Sequence, residues 1–147
     1  MFHSQLTKQM KYLIVDDELP SQDVIINYAR AFDFLELAHQ SYKAIDAMKW
    51  LKKNTTDLIF LDIKTLKITG ISMLKLLNNK PEVIISSAYD EYDLESYELN
   101  VADYFLKPYS LDRFYSAIQR VKKKQLTKKK EEEKANTFFI KADKKHH

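Results

Sequence analysis

Five short apolar runs, each stopping at polar residues, recur along the chain, and between them apolar positions return at helical spacing. Lys11-Tyr12-Leu13-Ile14-Val15 stops at Asp16-Asp17-Glu18, and a helical pattern opens at Pro20-Ser21-Gln22-Asp23 and runs to about Phe32. Residues 34–39 resemble a second strand, after which Ala44, Ile45, Ala47, Met48 and Leu51 keep helical spacing up to the Asn54-Thr55-Thr56 break. Leu58-Ile59-Phe60-Leu61 ends at Asp62, and the next helix, beginning near Gly70, carries Ile71, Leu74 and Leu77 as far as Pro81. Val83-Ile84-Ile85 ends at Ser86-Ser87, a polar acidic helix is expected over about 90–99, and Val101 to Leu106 predicts a fifth strand ending at Lys107-Pro108. A last helix opens near Ser110, whose hydroxyl suits an N-cap.

Strands alternating with helices predict an α/β domain, and fully apolar runs such as 58–61 predict strands covered on both faces of a parallel sheet. The expectation is therefore a five-stranded, doubly wound parallel sheet with five helices. In such a sheet the ligand site lies beyond the carboxyl ends of the strands, where the strand order reverses.

Composition narrows this picture. A chain of 147 residues suits one core, and no apolar run approaches the roughly 18 residues a spanning helix needs. Glycine occurs once, at Gly70, which excludes a glycine-rich phosphate loop, so any phosphate chemistry must use side chains. The absence of cysteine excludes disulfides, thiol nucleophiles and zinc-thiolate sites, and a reducing cytoplasm is the expected compartment. The net charge of +3 divides unevenly. Residues 122–147 hold ten lysines against four acidic residues, a balance of +6, and residues 1–121 carry −3. A basic whole-chain pI is therefore no argument that the body binds nucleic acid.

The predicted strand ends collect the chemistry. The first delivers Asp16-Asp17, the third Asp62, the fourth Ser86-Ser87 and the fifth Lys107. Singly, each has a mundane role: a cap or turn former, a satisfied hydroxyl, a surface lysine. Together, three neighbouring carboxylates coexist ionised only if a cation or raised pKa values relieve their repulsion, and oxygen-only ligands select a hard metal such as Mg²⁺. Lys107 then supplies a point charge opposite the metal, and a serine hydroxyl can bond one more oxygen.

At these residues the chain resembles a response-regulator receiver domain, the CheY-like phosphoacceptor module. The resemblance covers about residues 10–122. It rests on Leu13-Ile14-Val15-Asp16-Asp17-Glu18, Asp57-Leu58-Ile59-Phe60-Leu61-Asp62, Gly70, Ser87-Ala88 and Asp103-Tyr104-Phe105-Leu106-Lys107-Pro108. It implies the flavodoxin-like strand order 2-1-3-4-5, Asp62 as phosphoacceptor, and Asp16 and Asp17 as further Mg²⁺ ligands. It also implies Ser87 as switch hydroxyl, Tyr104 as switch aromatic, Lys107 as phosphoryl-binding lysine and a cis Lys107-Pro108 bond. The partner implied is a sensor histidine kinase. Such a module is not an enzyme in the turnover sense, since it catalyses only its own phosphotransfer and dephosphorylation. Ser86-Ser87-Ala88-Tyr89-Asp90-Glu91-Tyr92 and Glu98-Leu99-Asn100-Val101-Ala102-Asp103-Tyr104 are similar to receivers of the LytTR class, whose output is a DNA-binding domain.

The expected organisation is a receiver over 10–122, a charged linker or helix extension over 123–136, and over 137–147 the start of a truncated LytTR-type output domain, with a terminal His146-His147 pair that resembles a tag remnant. Thr137-Phe138-Phe139-Ile140-Lys141-Ala142 resembles the opening strand of that domain. Asp90, Glu91, Asp93, Glu95 and Glu98 facing Arg113, Arg120 and Lys122 suggest a two-fold homodimer through the 90–99 helix, the fifth strand and the last helix.

The sequence departs from the family after Asp62. Thr65 and Leu66 stand where many receivers have Met-Pro, and Lys64 occupies the place whose backbone carbonyl usually completes the metal site. An ammonium there is expected to compete with Mg²⁺ or to alter access of water to the phosphorus. Two other readings remain: a stand-alone phosphorelay receiver, and a magnesium phosphatase with an aspartyl-phosphate intermediate. The latter usually needs Asp-x-Asp, which Lys64 interrupts.

Overall fold

The computed structural model describes residues 9–65, 81–88 and 101–145. Five strands, β1 (Met10–Val15), β2 (Leu35–Ser41), β3 (Leu58–Asp62), β4 (Glu82–Ser87) and β5 (Asp103–Leu106), form one sheet in the order β2-β1-β3-β4-β5. Every pairing is parallel. The expected strand order holds.

Pleating sends alternate side chains of the central strands to opposite faces, and helices cover both. On one face Tyr12, Ile14, Phe60, Ile84 and Phe105 meet Ile25 and Ala29 of α1 (Leu19–Ala29) and Phe114, Ala117, Ile118 and Val121 of α3 (Leu111–Lys145). On the other, Leu13, Val15, Ile59, Leu61, Val83 and Ile85 pack with Ala47 of α2 (Ala44–Lys53), flanked by Met48, Trp50 and Leu51. Phe114 is fully buried, its ring stacked on Phe60 at 5.4 Å and 13°. Burying a side chain of that size contributes roughly 1.5–3 kcal/mol, so α3 is fastened chiefly by this residue and its neighbours one turn on.

The expectation of five helices is corrected: the described residues hold three α-helices and one short 3₁₀ turn over Ile63–Thr65. The helices expected from near Gly70 and over about 90–99 fall outside the described residues.

Helix α3 brings a second difference. It begins with Ser110 capping, the Ser110 Oγ accepting from the Arg113 N–H at 3.1 Å, and continues to Lys145. Residues 137–142, read from sequence as an opening strand, are helical. A lone strand leaves its N–H and C=O groups unpaired, whereas a helix satisfies them within the segment. No helix among the described residues is long and apolar enough to cross a membrane.

Candidate functional site

The carboxyl ends of β1 and β3 adjoin through the parallel register Val15↔Leu61, so the residues after them emerge side by side. Asp16, Asp17 and Asp62 each offer a carboxylate oxygen, and these atoms lie within 4.8 Å of one another. Asp16 and Asp62 are buried, at 1% and 2% exposure, while Asp17 faces solvent.

From the end of β5, Lys107 reaches across with its Nζ 3.0 Å from Asp16 Oδ2 and 3.6 Å from Asp62 Oδ1. The same ammonium donates to Ser21 Oγ at 3.1 Å. Its backbone N–H donates to the Ser87 carbonyl at 2.7 Å, joining the ends of β4 and β5, and the Lys107-Pro108 bond is cis. Ser86 pairs with Asp62 in the sheet register, and Ser87 is buried one residue further on.

Burial pushes the Asp62 carboxyl above the usual carboxylate range. The Lys107 charge and a backbone hydrogen bond at Lys64 pull it back, while Asp16 and Asp17 push it further up. Asp62 Oδ2 is buried and has no hydrogen-bond partner among the described residues. An orphaned, buried carboxylate oxygen beside two more carboxylates is the donor set of a hard divalent cation, and the residues fit such an ion. The cluster is capable of holding one.

The other predicted residues lie around this centre. Lys64 sits in the 3₁₀ turn with its Nζ 3.3 Å from Glu18 Oε1, an exposed pair at the rim. Tyr104 on β5 is 62% exposed and stands outside the cluster. Behind it, Asp103 accepts from both guanidinium nitrogens of Arg113, at 2.9 and 2.7 Å, and from Arg120 at 3.2 Å. Burial raises the Asp103 carboxyl, but the Arg113 and Tyr104 N–H hydrogen bonds and the two guanidinium charges outweigh it and hold it below the usual range.

Sequence reasoning passed over Ser21 and Gln22. The signal for Gln22 was present: it shares the buried face of α1 with Ile25 and Ala29, three and seven residues on. A polar side chain at a core position of a helix beside the site needs partners, and here it has them. Trp50 flanks the α2-side core and stacks on His39 at 5.2 Å.

Comparison with known proteins agrees with this geometry. The family model described as "Response regulator receiver domain" matches residues 12–119. "Sensory transduction protein LytT" of Bacillus anthracis is 31% identical over 119 residues, covering 79% of this chain and 48% of the relative. "Sensory transduction protein LytR" of Staphylococcus epidermidis is 33% identical over 118 residues, covering 76% and 46%. The chain thus spans about half the length of the curated relatives it matches. Among solved structures, the response regulatory domain of protein mrkE from Klebsiella pneumoniae superposes with a TM-score of 0.69 at 29% identity, covering 78% of this chain and 96% of that one.

Proposed function

This chain belongs to the response regulator receiver domain family, and on that premise we propose that it accepts a phosphoryl group on Asp62 from the phosphohistidine of a sensor kinase. The observation that carries the proposal is the Asp62 carboxylate itself: buried, with Oδ2 unpartnered among the described residues, Lys107 beside Oδ1, and two further carboxylates within 4.8 Å.

An Asp62 oxygen attacks phosphorus, the P–N bond to the kinase imidazole breaks with its electron pair going to nitrogen, and an acyl phosphate forms. Asp16, Asp17 and Asp62, with the Lys64 backbone carbonyl, would hold Mg²⁺. When bound, that ion supplies positive charge against the phosphoryl oxygens. Lys107 supplies a second cation from its own strand end and needs no large movement, since its Nζ already lies between Asp16 and Asp62. The buried Ser87 stands at the neighbouring strand end as the switch hydroxyl, and Tyr104 is the aromatic whose exposed position changes when Ser87 is drawn to the phosphate.

We assign the receiver to 10–122, a charged connection to 123–136 and the start of a LytTR-type output domain to 137–147. DNA recognition would belong to that output domain. The family match over residues 12–119 supports the receiver bounds, and the length of the LytT and LytR relatives, of which this chain covers about half, supports a further domain in the whole protein.

The test is incubation with a small phosphodonor and Mg²⁺ followed by intact mass. The parent gains one phosphoryl group and Asp62→Asn gains none. An adduct on both proteins overturns the assignment of Asp62.

A further inference from the structure

Gln22 is fully buried, yet none of its hydrogen-bonding groups is idle. Its Nε2 donates to the Asp16 carbonyl at 2.9 Å and to the Ser41 carbonyl at 3.0 Å, and its Oε1 accepts from Gln40 Nε2 at 2.7 Å. The Ser41 carbonyl also accepts the Asp16 N–H at 3.0 Å. One amide therefore closes a ring around the peptide units on both sides of Asp16, tying the exit of β1 to the end of β2.

The rest of Asp16 is held as completely. Its Oδ1 accepts the Glu18 N–H at 2.9 Å, and its Oδ2 takes the Lys107 ammonium at 3.0 Å. Asp17 follows directly and is exposed, so the shape of the Asp16 backbone is what brings it to the cluster. A carboxylate cluster binds a cation tightly only when its members are prevented from turning away from one another, since unrestrained like charges separate.

We propose that Gln22 is a positioning residue for the acidic site, acting through the Asp16 backbone, with Gln40 fixing the orientation of its amide. This rests on the reading of Asp16, Asp17 and Asp62 as a divalent-cation site. Gln22 does not touch the ion or the phosphoryl group. It holds the β1 exit in the one shape in which Asp16 and Asp17 converge with Asp62. Supporting groups of this kind commonly affect metal affinity about tenfold to a hundredfold.

The test compares the parent, Asp62→Asn, Gln22→Met and Gln40→Leu. Gln22→Met keeps length and shape without the two donors, and Gln40→Leu removes the amide's support from a half-buried position. Three readouts are taken: Mg²⁺ titration followed by NMR, amide exchange of Asp16 and Glu18 in metal-free buffer, and the Mg²⁺ dependence of phosphoryl uptake. For Gln22→Met the expected result is an Mg²⁺ Kd raised about tenfold or more, faster exchange at Asp16 and Glu18, and an uptake rate that recovers at saturating Mg²⁺. Gln40→Leu shifts in the same direction by a smaller factor. A merely structural role would lower uptake at every Mg²⁺ concentration. Unchanged Mg²⁺ affinity in Gln22→Met overturns the proposal, and if that variant does not fold, unchanged affinity in Gln40→Leu overturns it. A parent that binds no Mg²⁺ overturns the metal-site reading and this inference with it, whereas an adduct on Asp62→Asn overturns only the phosphoacceptor assignment.

Discussion

Asp62 and Asp103 are both buried carboxylates on strands of one sheet, and their environments drive them in opposite directions. Asp62 is raised, chiefly by burial, with the neighbouring Asp16 and Asp17 charges adding to it against the pull of Lys107 and a backbone hydrogen bond at Lys64. Asp103 is lowered because two guanidinium groups and a backbone N–H outweigh burial. A folded carboxyl below its unfolded value contributes stability that is present above the unfolded pKa and lost as pH falls through the folded pKa. Asp103→Asn is therefore expected to cost about 1–3 kcal/mol at neutral pH, less than a fully buried pair because Arg113 and Arg120 reach solvent, and to cost progressively less as pH falls below 4. Urea unfolding midpoints at pH 3 to 7 would show it, and equal loss at all pH values would contradict it. At the rim, the exposed Lys64–Glu18 pair at 3.3 Å contributes little to stability. Lys64→Asn should leave the unfolding midpoint almost unchanged while altering acyl-phosphate lifetime and Mg²⁺ affinity. Parental values for both lifetime and affinity would refute a role for the ammonium.

Among the elements, β1, β3 and β4 were legible because they are buried on both faces and so carry continuous apolar runs, Tyr12 to Val15, Leu58 to Leu61 and Val83 to Ile85. The edge strand β2 was expected over 34–39 but runs to Ser41, since His39, Gln40 and Ser41 are extended by pairing with Leu13, Ile14 and Val15 rather than by their own hydrophobicity. Helix α3 shows the converse. Its first turns are anchored by Phe114, Ala117, Ile118 and Val121, and its contacts with the body reach Lys124, 3.4 Å from Glu82, and Gln125, whose amide donates to the Asp57 carbonyl at 3.4 Å. The side chains over 128–137 are exposed. Lysine precedes glutamate at i, i+4 in pairs such as Lys128 with Glu132, the weaker order. Amide exchange is accordingly expected to be slow over 111–121 and fast beyond about 126. Uniform protection through Lys145 would mean that something else holds the distal turns.

For the whole molecule, the division of charge into an acidic body and a basic C-terminal stretch bears on assembly. Arg113 and Arg120, which the sequence offered to a dimer, are already engaged by Asp103 of the same chain, and Lys122 lies over the Phe34 ring at 4.5 Å. The acidic residues 90–98 lie outside the described residues. Among the described residues, Tyr104 and Leu106 of β5 and Leu111 at the start of α3 are exposed apolar side chains, the kind of surface a two-fold contact covers. Sedimentation with a stable phosphoryl mimic and Mg²⁺ should show a dimer favoured over the untreated chain, and an unchanged monomer in both conditions would count against the dimer.

Sheet order, the acidic strand ends and Lys107 could all be read from one chain, because a doubly wound sheet turns a pattern in sequence into a place in space: whatever follows each apolar run arrives at the same edge. The partners of Gln22 and Ser21, and the pairing of Asp103 with Arg113 and Arg120, could not. They lie anywhere from 6 residues off, for Gln22 with Asp16, to 86, for Lys107 with Ser21, and a polar side chain gives no sign of which group on another element it will meet. The local pattern decided which residues come to the site, and only the packed helices decided how those residues are aimed.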